Sequence, residues 1–203
     1  MTTAAVRPVL TETFWTTDVS TQLWIKRAAL FVAGIAALWI SAKTQIATVP
    51  VPVTLQMLVV MVIGAAYGPR LGAATVAGYL ALGLQGLPVF AGTPEKGIGL
   101  AYALGPTGGY LLGFLIAAYV VGLLARSGWD RSPLSMAGAM AVGLLCVYVP
   151  GVVWLCSAYG AGAGWENWYA WGVKTFLWVD ALKLVVAVIA FPAIWKFVGD
   201  ARV

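Results

Sequence analysis

Residues 105–125 and 134–158 contain no Asp, Glu, Lys or Arg. Each stretch reaches the roughly 20 apolar residues that an α-helix needs to cross the hydrocarbon core of a bilayer. No water is present there to satisfy backbone N–H and C=O groups, so such a segment closes its own hydrogen bonds as a helix. Further apolar segments cover residues 23–42, 53–67, 71–84 and 172–198. The expected fold is therefore all-α: a polytopic integral membrane protein with a six-transmembrane-helix bundle over residues 23–198. A polar N-terminal tail or interfacial segment occupies 1–22, and a short tail 199–203. Composition agrees, with 62% apolar and 9% charged residues against roughly 45–50% and 25% in soluble domains. Lys26 and Arg27 ahead of residues 28–42 resemble a signal peptide, but the polar stretch before them is long for one. The segment reads as the first span.

The formal net charge of +5 implies no nucleic-acid partner, because in a membrane protein the position of basic residues matters more than their sum. With the N-terminus inside, Arg7, Lys26, Arg27, Arg70, Arg126, Arg131, Lys196 and Arg202 fall on the cytoplasmic side, and Lys43 and Lys96 outside. Both termini are thus expected in the cytoplasm. Phe14, Trp15 and Trp24 are placed as interfacial aromatics before the first span.

Spans two and three, 53–67 and 71–84, are short. They either lie inside the bundle or end at a water-filled hollow. Gly68-Pro-Arg70 is expected to make a tight turn between them, and Val49-Pro-Val-Pro52 to lead into the second span. Residues 85–104 form a connection too long for a simple turn and are assigned to a functional loop. Pro192 is expected to bend the last span. Ala29, Ala33 and Ala37 recur at intervals of four in the first span. Such a stripe permits close helix contact, either within the bundle or with a separate partner protein. Cys146 and Cys156 lie in one apolar segment, about 15 Å apart along a helix, too far for a disulfide.

Asp180 and Lys183 are the chemically pointed residues. They stand inside the sixth span at i,i+3, on one helix face. Each charge costs roughly 2.5–3.5 kcal/mol at a helix centre, so neither is expected to face lipid. The pair either neutralises itself or holds a small ligand with both donors and acceptors. Gly105-Pro-Thr-Gly-Gly-Tyr110 lacks the Gly-Lys-Ser/Thr ending of a phosphate loop and no strand precedes it, so it is not an ATP site. Its glycines allow close approach of a helix or a ligand. The sequence contains no histidine, which removes Ser-His and Cys-His catalysis and makes a conventional zinc site unexpected. An intramembrane aspartyl pair is absent too, since only Asp180 lies deep in a span.

Val51-Pro-Val-Thr-Leu-Gln56, Gly68-Pro-Arg-Leu-Gly72, Gly86-Leu-Pro-Val-Phe90, Gly105-Pro-Thr-Gly-Gly-Tyr-Leu-Leu-Gly-Phe114 and Asp180-x-x-Lys183 occur in this order. In them the chain resembles the BioY family, the biotin-specific substrate-binding (S) components of energy-coupling-factor (ECF) transporters. The resemblance implies biotin capture from outside, no catalysis and no cofactor. It implies a bacterial cytoplasmic (inner) membrane location, with a transmembrane coupling protein and two ABC-type ATPases as partners besides membrane lipid. Asp180 and Lys183 correspond to the family's binding pair. Gly86, Pro88, Val89 and Phe90, with Gly105, Thr107, Gly108 and Tyr110, correspond to segments that line and cover its pocket. Gln56 belongs to the first matching motif, and Tyr102, Tyr110, Phe90 and Trp178 are candidates for apolar cover. The Ala29, Ala33, Ala37 stripe corresponds to the face that meets the coupling protein. Residues 91–99 depart from the family's denser glycine cluster, so Glu95 and Lys96 receive no assigned contact. An S component for another small vitamin and a small membrane enzyme acting on lipid are the alternative readings.

Overall fold

The computed structural model describes residues 7–14, 19–46, 51–158 and 167–198. The expectations at Trp15, Val49, Pro50, residues 159–166, Arg202 and the C-terminal tail lie outside them. In chain order the elements are α1 (Leu10–Phe14), α2 (Ser20–Lys43), β1 (Gln45–Ile46), β2 (Val53–Thr54), α3 (Gln56–Leu84), α4 (Gly99–Ala103), α5 (Gly108–Arg126), α6 (Pro133–Val153) and α7 (Thr175–Val198). A 3-10 turn, Trp129–Arg131, links α5 to α6, and wide helical turns at Trp154–Ala158 and Ala170–Lys174 extend α6 and precede α7. Five helices among the described residues are long and apolar enough to cross a membrane: Ser20–Lys43, Gln56–Leu84, Gly108–Arg126, Pro133–Ser157 and Ala170–Val198.

The second and third apolar segments of the sequence are the two arms of α3. They meet at Gly68, whose φ of 79° and ψ of 175° are open to glycine, and Pro69 follows with no N–H to leave unpaired. The arms lie side by side: a Cβ on Gly72 would come within 3.1 Å of the Gly64 Cα. Nearer the far end the Gln56 amide donates to the Tyr79 hydroxyl at 2.9 Å. Helix α5 packs into this hairpin through glycine as well. A Cβ on Gly122 would stand 2.5 Å from the Pro69 nitrogen, and one on Gly64 would stand 2.6 Å from the Ala118 carbonyl oxygen. Close backbone approach of this kind is how helices associate in lipid, where water supplies no driving force between them.

Consecutive helices alternate in direction, so the molecule has two distinct ends. At one end α1 is anchored to its neighbours: the Thr11 hydroxyl donates to the Ala66 carbonyl at 2.9 Å, and Glu12 pairs with Arg126. Arg131 lies 4.3 Å from the Trp195 ring centre, and the indole N–H of Trp195 donates to Asp130 at 2.7 Å. Burial pushes the Asp130 carboxyl up, against the opposing pull of that N–H, Arg131 and Arg7. Thus part of the stretch read as a polar tail or interfacial segment is the short helix α1 clasped on the bundle, and Ser20 to Gln22 begin the first long helix. At the other end the loop after α3 is tied back to α2. Lys43 donates to the carbonyls of Phe90 and Thr93 at 3.2 and 2.8 Å, and to the Thr93 hydroxyl at 3.0 Å.

Of the alanine stripe, Ala29 and Ala33 are exposed and Ala37 is half-buried. The contact face of α2 is offset from it, using Gly34 against Thr75 and Phe31 against Gly78 of α3. Gly122→Val places two methyl groups against the backbone at the α3 bend. It should lower the thermal midpoint by roughly 5–10 °C, as expected for overpacking of about 2–3 kcal/mol in a chain of this size. Gly138→Ala meets only the Trp129 ring edge at 3.1 Å and should shift a detergent melting curve far less.

Candidate functional site

The end of the bundle carrying Lys43 surrounds about 510 Å³ of space between side chains, counting its open mouth, of which about 50 Å³ admits a water-sized sphere, less than the roughly 300–1,000 Å³ of an open small-molecule pocket. Much of it is crevice narrower than a water molecule. The segment before α3 contributes Val51, Pro52 and Thr54, α5 contributes Tyr110, Leu111 and Phe114, and α6 contributes Val147 and Tyr148. Phe176, Asp180 and Lys183 of α7 close the far wall, with Tyr102 and Ala91 from the loop. These walls are mostly apolar, and their polar groups are few and gathered.

Asp180 and Lys183 are 3% and 6% exposed, so both charges are withdrawn from lipid and from open solvent. Lys183 Nζ lies 2.7 Å from Asp180 Oδ1 and donates also to the Thr54 carbonyl at 2.5 Å. The Tyr148 hydroxyl donates to Asp180 Oδ2 at 2.6 Å. Each charge therefore has its opposite partner and one neutral hydrogen bond. A carboxylate offers about four lone-pair positions and an ammonium three N–H donors. After these contacts roughly two acceptor positions and one donor remain, on two residues that line the hollow. Thr107 adds a second polar point, a buried hydroxyl close to the Tyr102 phenol.

Of the residues selected from sequence, Asp180, Lys183, Gln56, Tyr102, Thr107 and Tyr110 line the hollow. Tyr110 is held by donating to the Gly172 carbonyl at 2.8 Å. Trp178 does not line it. Two residues from Asp180 on a helix means roughly 200° of rotation, and Trp178 is 82% exposed on the outer face. Phe90 stands behind the wall, stacked on Tyr102 with ring centres 5.0 Å apart and edge-on to Tyr79 at 5.6 Å. Val89 is buried, and its carbonyl accepts from Tyr79 at 2.9 Å. Gly86, with φ 98°, and exposed Pro88 shape the turn leaving α3 rather than the wall. Gly105 accepts from the Trp154 indole at 2.9 Å, and Gly108 approaches the Ala103 carbonyl so closely that a Cβ would stand 2.1 Å away. These glycines position α5 and do not line the hollow. Tyr148, Thr54 and Phe176 were not selected. Tyr148 carried one signal, a phenol in an otherwise apolar span; Thr54 acts through its backbone, which no residue type announces.

A mostly apolar pocket in a bundle of membrane-spanning helices, with a satisfied ion pair and a few other polar groups gathered on its wall, defines a membrane-embedded binder of a small polar-headed solute. The chain belongs to the BioY family, whose model matches residues 11–200. A Pyrococcus horikoshii protein named a probable biotin transporter BioY is 35% identical over 164 residues, which cover 81% of this chain and 93% of that one. A Thermotoga maritima protein named biotin transporter BioY is 36% identical, over 78% of this chain and 85% of its own length. The Rhizobium etli protein of the same name is 35% identical, over 82% and 89%. In fold, the chain resembles the crystal structure of the S-component for biotin from an ECF-type ABC transporter. The TM-score is 0.71 at 24% identity, covering 88% of this chain and 95% of that one.

Removing one member of the pair strands the other charge in a low-dielectric wall, a loss of about 3–5 kcal/mol in comparable sites. Lys183→Met and Asp180→Asn should each destabilise the ligand-free protein. The double variant should melt closer to wild type than the Lys183→Met single, and a thermal double-mutant cycle measures this. Lys43→Met removes the tether between loop and α2. It should speed ligand release by several-fold in a stopped-flow chase, with little change in association rate.

Proposed function

We propose that this chain is the biotin-binding S component of an ECF-type transporter, taking biotin from the external side of a bacterial cytoplasmic membrane. The observation that carries the reading is the hydrogen-bonding capacity left on the buried pair. A ureido group presents two N–H donors and one carbonyl acceptor, the complement of the two acceptor positions on Asp180 and the one donor on Lys183. Asp180 accepts from the ureido N–H groups and Lys183 donates to an oxygen of the ligand. The thioether ring and aliphatic chain lie against Phe114, Val147 and Phe176, and Tyr102 and Tyr110 close over them. The names of the relatives, all biotin transporters, support the same ligand.

The bundle crosses the membrane six times, the two arms of α3 each counting as a crossing, and both termini face the cytoplasm. Support comes from the charges: Arg7, Lys26, Arg27, Arg70, Arg126, Arg131 and Lys196 gather at one end, as the positive-inside rule requires of the cytoplasmic side. The pocket then opens outward. The chain acts by binding and transport rather than catalysis. Its sequence has no nucleotide-binding motif, so uptake against a gradient draws on a transmembrane coupling protein and two ABC-type ATPases. The exposed Ala29 and Ala33 face of α2 is the docking surface for the coupling protein.

Biotin at about a thousand times its dissociation constant should stabilise the wild-type fold by roughly 4 kcal/mol, readable as a rise in melting temperature. Asp180→Asn and Lys183→Ala should each weaken labelled-biotin binding by roughly 10–150-fold, the value of a hydrogen bond to a charged group; wild-type affinity in both would refute the assignment. A vitamin panel in competition separates biotin from other small acids carrying ring nitrogens. Uptake into cells should require co-expression of the partner set.

A further inference from the structure

The other large hollow is at the basic end, a cleft of about 1610 Å³ counting its open mouth. Helices α2 and α5 both pack on α3 but make little contact with each other, so the cleft is a slot between them with the α3 bend as its floor. Lys26, Arg27, Arg70 and Arg126 line it with a single carboxylate, Glu12, a local charge of 4 − 1 = +3. Glu12 is committed to Arg126. Lys26 is only 6% exposed although it stands on the wall. Deeper along the slot the lining becomes apolar, through Leu30, Leu71 and Leu123. Leu123 and Tyr119 are exposed on the outer side, so the slot opens sideways toward the acyl region as well as toward water.

We propose that this cleft binds one anionic phospholipid of the cytoplasmic leaflet. Its phosphate lies among Lys26, Arg27 and Arg70, and its chains run along Leu30 and Leu123 between α2 and α5. The proposal rests on the orientation given above, which puts the basic end at the cytoplasmic surface, where anionic lipid and basic side chains attract. The combination of charges and apolar strip selects the occupant. A free anion would satisfy the cations and leave the leucines wet, while a zwitterionic lipid would cover the leucines without the net negative charge that a +3 site favours. The lipid would also fill the gap separating α2, the least enclosed long helix, from α5.

The test is native mass spectrometry of the full-length protein in neutral detergent, incubated with equimolar phosphatidylglycerol and phosphatidylcholine of identical chains. Phosphatidylglycerol should be retained at least roughly tenfold over phosphatidylcholine, as basic residues at a lipid surface attract anionic headgroups. Arg27→Gln with Arg70→Gln should bring the two lipids level, and Lys196→Gln, at the same end but outside the cleft, should not. Biotin-induced thermal stabilisation is read in parallel and should survive in every variant, so a failed lipid site and a failed ligand assignment are told apart. Equal retention of both lipids by wild type, or undiminished phosphatidylglycerol on the double variant, overturns the proposal. So does complete displacement by an equal concentration of inorganic phosphate, which would mark a free-anion site. The wild-type arms decide the question even if the double variant does not fold.

Discussion

Two opposite charges buried in an otherwise apolar stretch of helix, residues 176–195 of α7, set the terms for everything around them. Asp180 and Lys183 neutralise one another across one turn of α7, but a carboxylate and an ammonium in a weakly polarisable wall also need hydrogen bonds to their remaining atoms. Those bonds come from elsewhere in the chain: the Tyr148 phenol on α6, and the Thr54 carbonyl on the short strand before α3. Three elements distant in sequence are thereby tied to one pair. The rotation of α7 is settled in the same way, since any other would turn a charge toward acyl chains. A ligand with matching polar edges meets a site that is satisfied without it and still has capacity to give.

The two ends of the bundle perform different tasks with different materials. At the pocket end, aromatic and aliphatic walls meet a glycine-rich loop held down by Lys43. At the basic end, the α3 bend, α1 and the α5–α6 turn are joined by Glu12, Asp130 and several arginines. Between them runs a central pair of glycine-mediated contacts, Gly122 on the bend and Gly64 on Ala118. These bring α5 and the α3 hairpin as near as backbones allow. Helix α2 leans on this core with one face, through Gly34 and Leu38, and leaves Ala29 and Ala33 outward.

Sequence reading identified the pair and most of the pocket's polar wall because the cost of an intramembrane charge is independent of fold. It erred where position depends on a third element. Trp178 looked like pocket cover from its nearness to Asp180, but helical rotation sends it outward. Phe90, Pro88 and the glycines at 86, 105 and 108 occur in motifs with the pocket residues, yet they shape turns and second layers: Phe90 supports Tyr102 from behind, and Gly108 admits the Ala103 carbonyl. Tyr148 was passed over because a tyrosine in an apolar span is unremarkable until its hydroxyl is found on a carboxylate. The alanine stripe left two readings open, and its residues are divided: Ala29 and Ala33 are exposed, Ala37 half-buried.

By itself, the amino-acid sequence determined that this chain lives in a bilayer as apolar helices, where they begin and end to within a few residues, and which two charges must be sheltered. Those properties follow from the solvent: hydrocarbon forces internal hydrogen bonding on every segment and penalises every unpartnered charge, whatever the neighbours. Only the tertiary structure decided that α5 packs into the α3 hairpin through Gly64 and Gly122, that Tyr148 and the Thr54 carbonyl complete the pair, and that a basic slot opens between α2 and α5. Each of these depends on how distant backbones approach one another, a distance set by the packing of glycines and side chains that no single segment contains.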